Sequence, residues 1–138
     1  MIAQTAFHTY RVMNQLQQNL TGLQRDIRSN AVAWKAMATA QSPDVATLAQ
    51  FAKDAAASYE TRLGWVLTYK NTSPNWPAVT AMFTALGGNI ADATTLFTQM
   101  KAVADQLGAA TLTTYAQISA ACDQILAAVQ APDSLWPE

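Results

Sequence analysis

The side chains that could do chemistry are few and widely separated in this sequence. His8 is the only histidine and Cys122 is the only cysteine. A catalytic histidine needs a nucleophile or a carboxylate held beside it, and no motif around His8 supplies either partner. A structural zinc site needs four Cys or His ligands, which is more than the chain contains. We therefore expect His8 to be a surface or helix-end residue and Cys122 to pack as a small hydrophobic side chain.

The remaining candidate groups form no site that can be identified from spacing. Asp54 and Glu60 do not share a helix face, because they are not separated by three or four residues. Gly87-Gly88 lacks the Gly-x-x-x-x-Gly-Lys frame of a phosphate loop. The chain also lacks the Glu-x-x-His of di-iron bundles and the Cys-x-x-Cys-His of covalent haem, and its five methionines are better explained as core. The sequence therefore predicts no enzyme, no cofactor and no metal.

Composition indicates one helical domain with an unusually uncharged surface. The chain has 138 residues, of which 51% are hydrophobic and only 12% are charged, about half the usual charged share. Such an exterior is typical of a protein that hides surface in an assembly, and it also arises by neutral drift in an alanine-rich chain. A single cysteine excludes an internal disulfide, and no apolar run reaches the ~18 residues that a membrane span requires.

Charge is small overall but differs between the two halves. The formal net charge is −1, which gives no electrostatic case for nucleic acid or an anionic membrane as a partner. Residues 1–70 carry seven basic and four acidic side chains, whereas residues 71–138 carry one basic and five acidic side chains. This asymmetry is either a scatter of few charges or a complementarity that pairs copies of the chain.

Apolar residues recur at alternating three- and four-residue spacings, which keeps one face of a helix toward its neighbours. The residues beside this stripe in the first helix are uncharged, which predicts a helix surrounded by other helices. Asn30, inside the stripe, sets register or faces a neighbour. The first stripe consists of Met13, Leu16, Leu20, Leu23, Ile27, Asn30, Trp34 and Met37. Basic residues on its opposite side predict a solvated or basic contact face, namely Arg11, Arg25, Arg28 and Lys35.

Stop and start signals divide the chain into four predicted helices. The first runs to about Ala40, and Ser42 then caps a second helix that has Pro43 at its first position. The second helix ends near Lys70, before a loop in which Trp76 either closes the bundle end or stays exposed for recognition. The last helix starts from a capping box at Thr114 and ends before a proline-bounded tail.

The third helix contains the one ambiguous boundary. Its apolar spacing keeps a single phase from Phe83 to Leu107, straight through Gly87-Gly88. A loop has little reason to preserve phase, so we predict one helix, kinked at the glycine pair. The alternative is a short helix, a Gly-Gly-Asn turn and a second helix.

Together these elements predict an all-α fold: an antiparallel up-down-up-down four-helix bundle with a long first helix. Residues 1–130 form the single bundle domain, and residues 131–138 form a short extended C-terminal tail. No strand-like alternation occurs between hairpin turns.

Two surfaces are predicted to bind a protein partner. The outer face of the third helix has small, uncharged side chains that let another helix approach closely at little entropic cost. It includes Thr84, Gly88, Ala91, Thr95 and Thr98. The tail adds Leu135 and Trp136 as a large apolar anchor, which either docks on a neighbour or folds back over its own bundle.

These features favour a non-enzymatic structural subunit of an oligomeric assembly. Small, charge-poor helical proteins of this kind resemble virus and bacteriophage particle components in style, without a motif match. One alternative is a helical adaptor or chaperone that holds a partner helix or peptide, and another is a ligand-carrying bundle or an enzyme of unknown type. The first fifteen residues lack a basic region followed by an apolar run, so we expect no signal peptide and a cytoplasmic or virion location.

Overall fold

The structure is a computed structural model that describes residues 2–130, with side chains from residue 6 onward. This part of the chain is all-helical and contains five helices and no strand. The helices are α1 (Ile2–Ala40), α2 (Val45–Thr72), α3 (Trp76–Ala85), α4 (Ile90–Ala109) and α5 (Tyr115–Ala128). The all-α prediction is therefore confirmed, whereas the predicted number of four helices is wrong.

Helix α1 packs most extensively against α5 and also contacts α2 and α3, while α4 packs mainly against α2. Polar contacts show how helices α1 and α2 run relative to each other. Asn30 donates to the Tyr59 hydroxyl and Asp26 pairs with Arg62, so α1 and α2 are antiparallel. The main core lies between these helices, and its most deeply buried large side chains are Leu23, Ile27, Leu48, Leu63, Leu96, Met100, Ile118 and Val129.

A smaller apolar cluster lies at the amino-terminal end of α1. It consists of Met13 from α1 with Val79 and Phe83 from α3. The side-chain amide nitrogen of Asn75, just before α3, donates to the hydroxyl oxygen of Thr9 at 3.4 Å. Helix α3 thus covers the part of α1 that extends beyond the main core.

The predicted third helix is interrupted between Ala85 and Ile90, which confirms the alternative with a Gly-Gly-Asn turn. Gly87 has φ +99°, a backbone conformation that side-chain-bearing residues rarely adopt. Asn89 then caps α4, because its side-chain oxygen accepts a hydrogen bond from the Asp92 backbone at 3.0 Å. The apolar spacing that continues across this segment does not indicate a buried helix face here, since Leu86 and Ile90 are 46% and 37% exposed.

The other helix boundaries agree with the sequence more closely. The predicted capping box is present. The Thr114 hydroxyl accepts a hydrogen bond from the Gln117 backbone N–H, and the Gln117 side-chain oxygen accepts one from the Thr114 backbone N–H. Helix α2 begins later than predicted, and Asp44 instead of Ser42 is its N-cap residue. The Asp44 carboxylate accepts a hydrogen bond from the Thr47 hydroxyl at 2.6 Å.

Basic residues of the first half hold the carboxyl-terminal ends of later helices. Lys53 of α2 donates to the carbonyl oxygens of Leu107 and Gly108 at the end of α4, at 3.2 and 2.9 Å. Arg28 of α1 donates to the carbonyls that end α5. Neither α4 nor α5 has a basic residue in its own last turn, so these cations supply the favourable charge at the helix ends.

Two of the four basic residues predicted to form a solvated or basic contact face on α1 bond another helix of the same chain. Arg28 bonds α5, and Lys35 forms an ion pair with Asp123 of α5. Arg11 and Arg25 are exposed as predicted. The Lys35–Asp123 ion pair joins a basic residue of the first half to an acidic residue of the second within one chain.

Candidate interaction surface

Only the part of the predicted small-residue face that belongs to α4 forms one continuous helix face in the structure. Ala91, Thr95 and Thr98 are exposed, and they lie on the side of α4 away from its buried residues. The Thr95 hydroxyl donates to the Ala91 carbonyl and the Thr98 hydroxyl to the Thr94 carbonyl, both at 3.0 Å. Because these hydroxyls are bonded within the helix, the face demands few polar partners from anything that packs on it.

The structure does not bring the other predicted contact residues onto this face. Thr84 is exposed but belongs to α3, on the far side of the turn. Gly88 lies in the turn and is partly buried, and a Cβ added to it would overlap the Phe83 ring. Leu135 and Trp136 fall outside the described residues. The expectation of one continuous face from residue 84 to residue 98 is wrong because the helix on which it depended is interrupted.

Large apolar side chains are exposed on α1 and α2. Trp65 of α2 has 71% of its surface exposed, and Phe51 of the same helix has 45%. On α1, Phe7 and Val32 are 63% and 59% exposed. Tryptophan is enriched at surfaces that bind another protein.

Phe51 and Trp65 belong to one regular line of side chains on α2. The line, which we call the α2 outer face, consists of Phe51, Asp54, Ser58, Thr61 and Trp65. All five are exposed, and they lie away from the buried stripe of the same helix. Their spacings are three, four, three and four residues, the pattern that keeps side chains facing one partner helix. This second stripe was visible in the sequence, but only tertiary structure shows that it is uncovered.

Charged groups border the α2 outer face near each end. Asp54, one turn from Phe51, accepts a hydrogen bond from the Gln50 amide at 2.8 Å. Arg62, one turn from Trp65, forms an ion pair with Asp26 of α1 at 2.8 Å. Asp54 therefore lies on the face near Phe51, whereas Arg62 lies beside the face near Trp65 and is paired with α1.

Two small apolar cavities lie where α1, α2, α3 and α4 meet. Their volumes are about 90 and 60 Å³, and Leu20, Trp76, Ile90 and Ala93 contribute to both. Such volumes suit single side chains, since pockets for small-molecule ligands measure roughly 300–1,000 Å³. Trp76 is half-buried here, with its ring 6.2 Å from that of Tyr69, which supports the interpretation that it closes this end of the bundle.

The described side chains that could do chemistry are dispersed in the structure as they are in the sequence. His8 is exposed on α1, while Cys122 is 1% exposed. Burial, followed by the charge of Asp123, raises the pKa of the Cys122 thiol to about 11, so the reactive thiolate is suppressed. Between residues 2 and 130, no three His, Cys, Asp or Glu side chains are grouped to hold a metal ion.

Neither a membrane span nor a known relative guides the interpretation of these surfaces. None of the helices within the described part of the chain combines the length and the apolar character needed to cross a bilayer. Comparison with known proteins found no matching protein family, no matching curated protein and no matching solved structure.

Proposed function

We propose that this protein is a non-enzymatic structural subunit that builds an oligomeric assembly by packing exposed helical faces against other copies. Trp65 is the observation that carries the proposal. It is 71% exposed within the long helix α2. Tryptophan is enriched among the few residues that contribute most of the binding energy of protein interfaces.

The outer face of α4 supports a second contact between subunits. Ala91, Thr95 and Thr98 expose small side chains, and both threonine hydroxyls are bonded within the helix. A subunit with two distinct contact faces can join more than one neighbour, which is what a particle or a filament requires. We retain a virus or bacteriophage particle as the proposed setting, on the analogy of composition alone.

The mass of the full chain in native buffer tests this function. Light scattering coupled to size-exclusion chromatography over a concentration series should show species heavier than the 14.8 kDa monomer. A monomer at every concentration would contradict self-assembly.

Ala91→Lys tests the second face, because a lysine there puts a charge on an uncharged surface. Unchanged assembly in that variant would remove the α4 face from the proposal.

The adaptor function is the second candidate, and the paired cavities favour it. Two cavities that share Leu20, Trp76, Ile90 and Ala93 could receive successive apolar side chains of a partner helix or peptide. A monomeric wild-type protein would favour this function over the structural one. Ile90→Lys, at an already exposed position, should then abolish capture of the partner while leaving the fold intact.

A further inference from the structure

We propose that the partner of the α2 outer face is the same face of a second copy, packed antiparallel about a two-fold axis at Ser58. This inference rests on the proposed structural role and names the first contact of the assembly. A two-fold axis makes each residue meet a counterpart at a fixed register. With Ser58 opposite Ser58, a residue a given number of positions before Ser58 meets the partner residue the same number of positions after it.

The register brings the two aromatic residues together. Phe51 and Trp65 lie seven residues to either side of Ser58, so each Phe51 faces the partner's Trp65. One helix thus presents two aromatic anchors about 21 Å apart at 1.5 Å per residue. Each anchor, 45% or 71% exposed in the single chain, gains an aromatic neighbour. Aromatic pairs of this kind contribute beyond the apolar area that they bury.

The same register pairs opposite charges. Asp54 and Arg62 lie four residues to either side of Ser58, so each Asp54 carboxylate faces the partner's Arg62 guanidinium. Arg62 already pairs with Asp26 of its own chain at 2.8 Å. A guanidinium has five N–H donors in a planar fork, and it can bond a second carboxylate without releasing the first. A parallel arrangement in register would instead place Asp54 beside Asp54 and Arg62 beside Arg62.

Side-chain size at the centre allows the helices to approach closely. Ser58 lies on the axis, and Ala55 and Thr61 face each other across it. Small side chains at a helix crossing bring the axes to the short end of the usual range, near ~8 Å. The arrangement therefore has a tight, uncharged centre, an ion pair on each side of it and an aromatic pair at each end.

Charge reversal tests the register through a mixing experiment. Asp54→Lys alone places lysine opposite arginine at both ends, and Arg62→Glu alone places glutamate opposite aspartate. Each variant should raise the dimer dissociation constant on the order of tenfold or more. Mixing the two variants restores two opposite-charge pairs, so a heterodimer should form with affinity near that of the wild type. Circular dichroism first confirms that each variant is folded, and the dimer dissociation constant is measured afterwards.

Disulfide trapping provides a second test that leaves the charges unaltered. In a Cys122→Ala background, Ser58→Cys should cross-link readily on oxidation, because the two positions meet on the axis. Thr72→Cys is the matched control, since it is exposed on the same helix but lies 14 residues from Ser58. Antiparallel packing keeps the two Thr72 positions roughly 40 Å apart, so this variant should not cross-link. A parallel pair would cross-link at both positions.

The possible results separate this inference from the proposed function. Self-association that responds to both charge variants, recovers on mixing and traps only at Ser58 supports the arrangement. Self-association that is unchanged in the charge variants and gives no disulfide cross-link at Ser58 overturns the antiparallel arrangement while leaving the structural role intact. A wild-type chain that stays monomeric overturns both.

Discussion

Arg28 donates a hydrogen bond to the carbonyl oxygen of Val129, 101 residues later in the chain, at 2.5 Å. A second bond reaches the Leu126 carbonyl at 3.0 Å. These carbonyls end α5, where intrahelical partners run out and the helix dipole is negative. A residue that resembled a surface cation in the sequence therefore fastens the last helix to the first.

Arg28→Ala should lower the free energy of unfolding by about 1–2 kcal/mol, because it leaves charged hydrogen bonds unmade at a partly buried helix end. Urea denaturation followed by circular dichroism measures the change. Arg25→Ala is the matched control, since Arg25 is exposed on the same helix and should change stability by less than ~0.5 kcal/mol. Equal effects of the two substitutions would show that Arg28 does not hold α5.

Gly88→Ala should destabilise the protein, since an added Cβ would overlap the ring of Phe83. Overpacking of this kind costs about 1–3 kcal/mol, and thermal denaturation would record it as a lower Tm. A lysine at residue 88 would disturb the α3–α4 turn for the same reason, so it cannot report on an interface.

Gly64→Ala in α2 is the matched control for that glycine and should have the opposite sign. Among the described residues, nothing beyond the adjacent residues and backbone of its own helix lies within 4 Å of its added Cβ, and alanine in a helix interior is favoured over glycine by roughly 0.5–1 kcal/mol. A raised Tm is therefore expected. If both glycine variants lost stability equally, the ring of Phe83 would not be the cause.

Asn30→Ala should cost about 1 kcal/mol, the usual contribution of a neutral hydrogen bond, because its amide donates to the Tyr59 hydroxyl. Burial raises the pKa of Tyr59, and the bond from Asn30 opposes that increase. Removing the amide should therefore raise the Tyr59 pKa further, which absorbance of the tyrosinate in an alkaline titration would detect. An Asn30→Ala variant with an unchanged titration would contradict this role.

Stability should fall as the pH rises from about 9 to about 11, since burial raises the pKa of the Cys122 thiol across that interval. The unfolded chain loses this proton first, so the native state binds more protons there and the free energy of unfolding declines with pH. Below pH 9 the contribution is fully present. Urea denaturation at several alkaline pH values measures this slope.

Cys122→Ala should make the alkaline decline shallower without abolishing it, because Tyr59 has a raised pKa and contributes with the same sign at higher pH. The substitution also removes a buried sulfur, which lowers stability by a similar amount at all pH values. The slope therefore reports the thiol separately from its packing. An unchanged slope in this variant would contradict the assignment.

The sequence by itself determined the all-helical class of the fold and which side of the first helix is buried. The predicted stripe of α1 is buried at Leu23, Ile27 and Trp34, which are 1%, 1% and 6% exposed. Periodicity suffices here because an amphipathic helix has only one way to bury its apolar side. The Thr114 capping box was equally predictable, because both of its partners lie within four residues.

Only tertiary structure decided what depends on residues far apart in the chain. Apolar phase continued through Gly88, yet the chain turns there, because the local glycine geometry outweighs a periodicity that a turn can match by accident. The partner of Arg28 lies on another helix, which no spacing rule reports. The α2 outer face has the same three-four rhythm as a buried stripe, and nothing in the pattern says that Trp65 would be left uncovered. Periodicity records that a face suits a partner, whereas packing decides whether that partner belongs to the same chain.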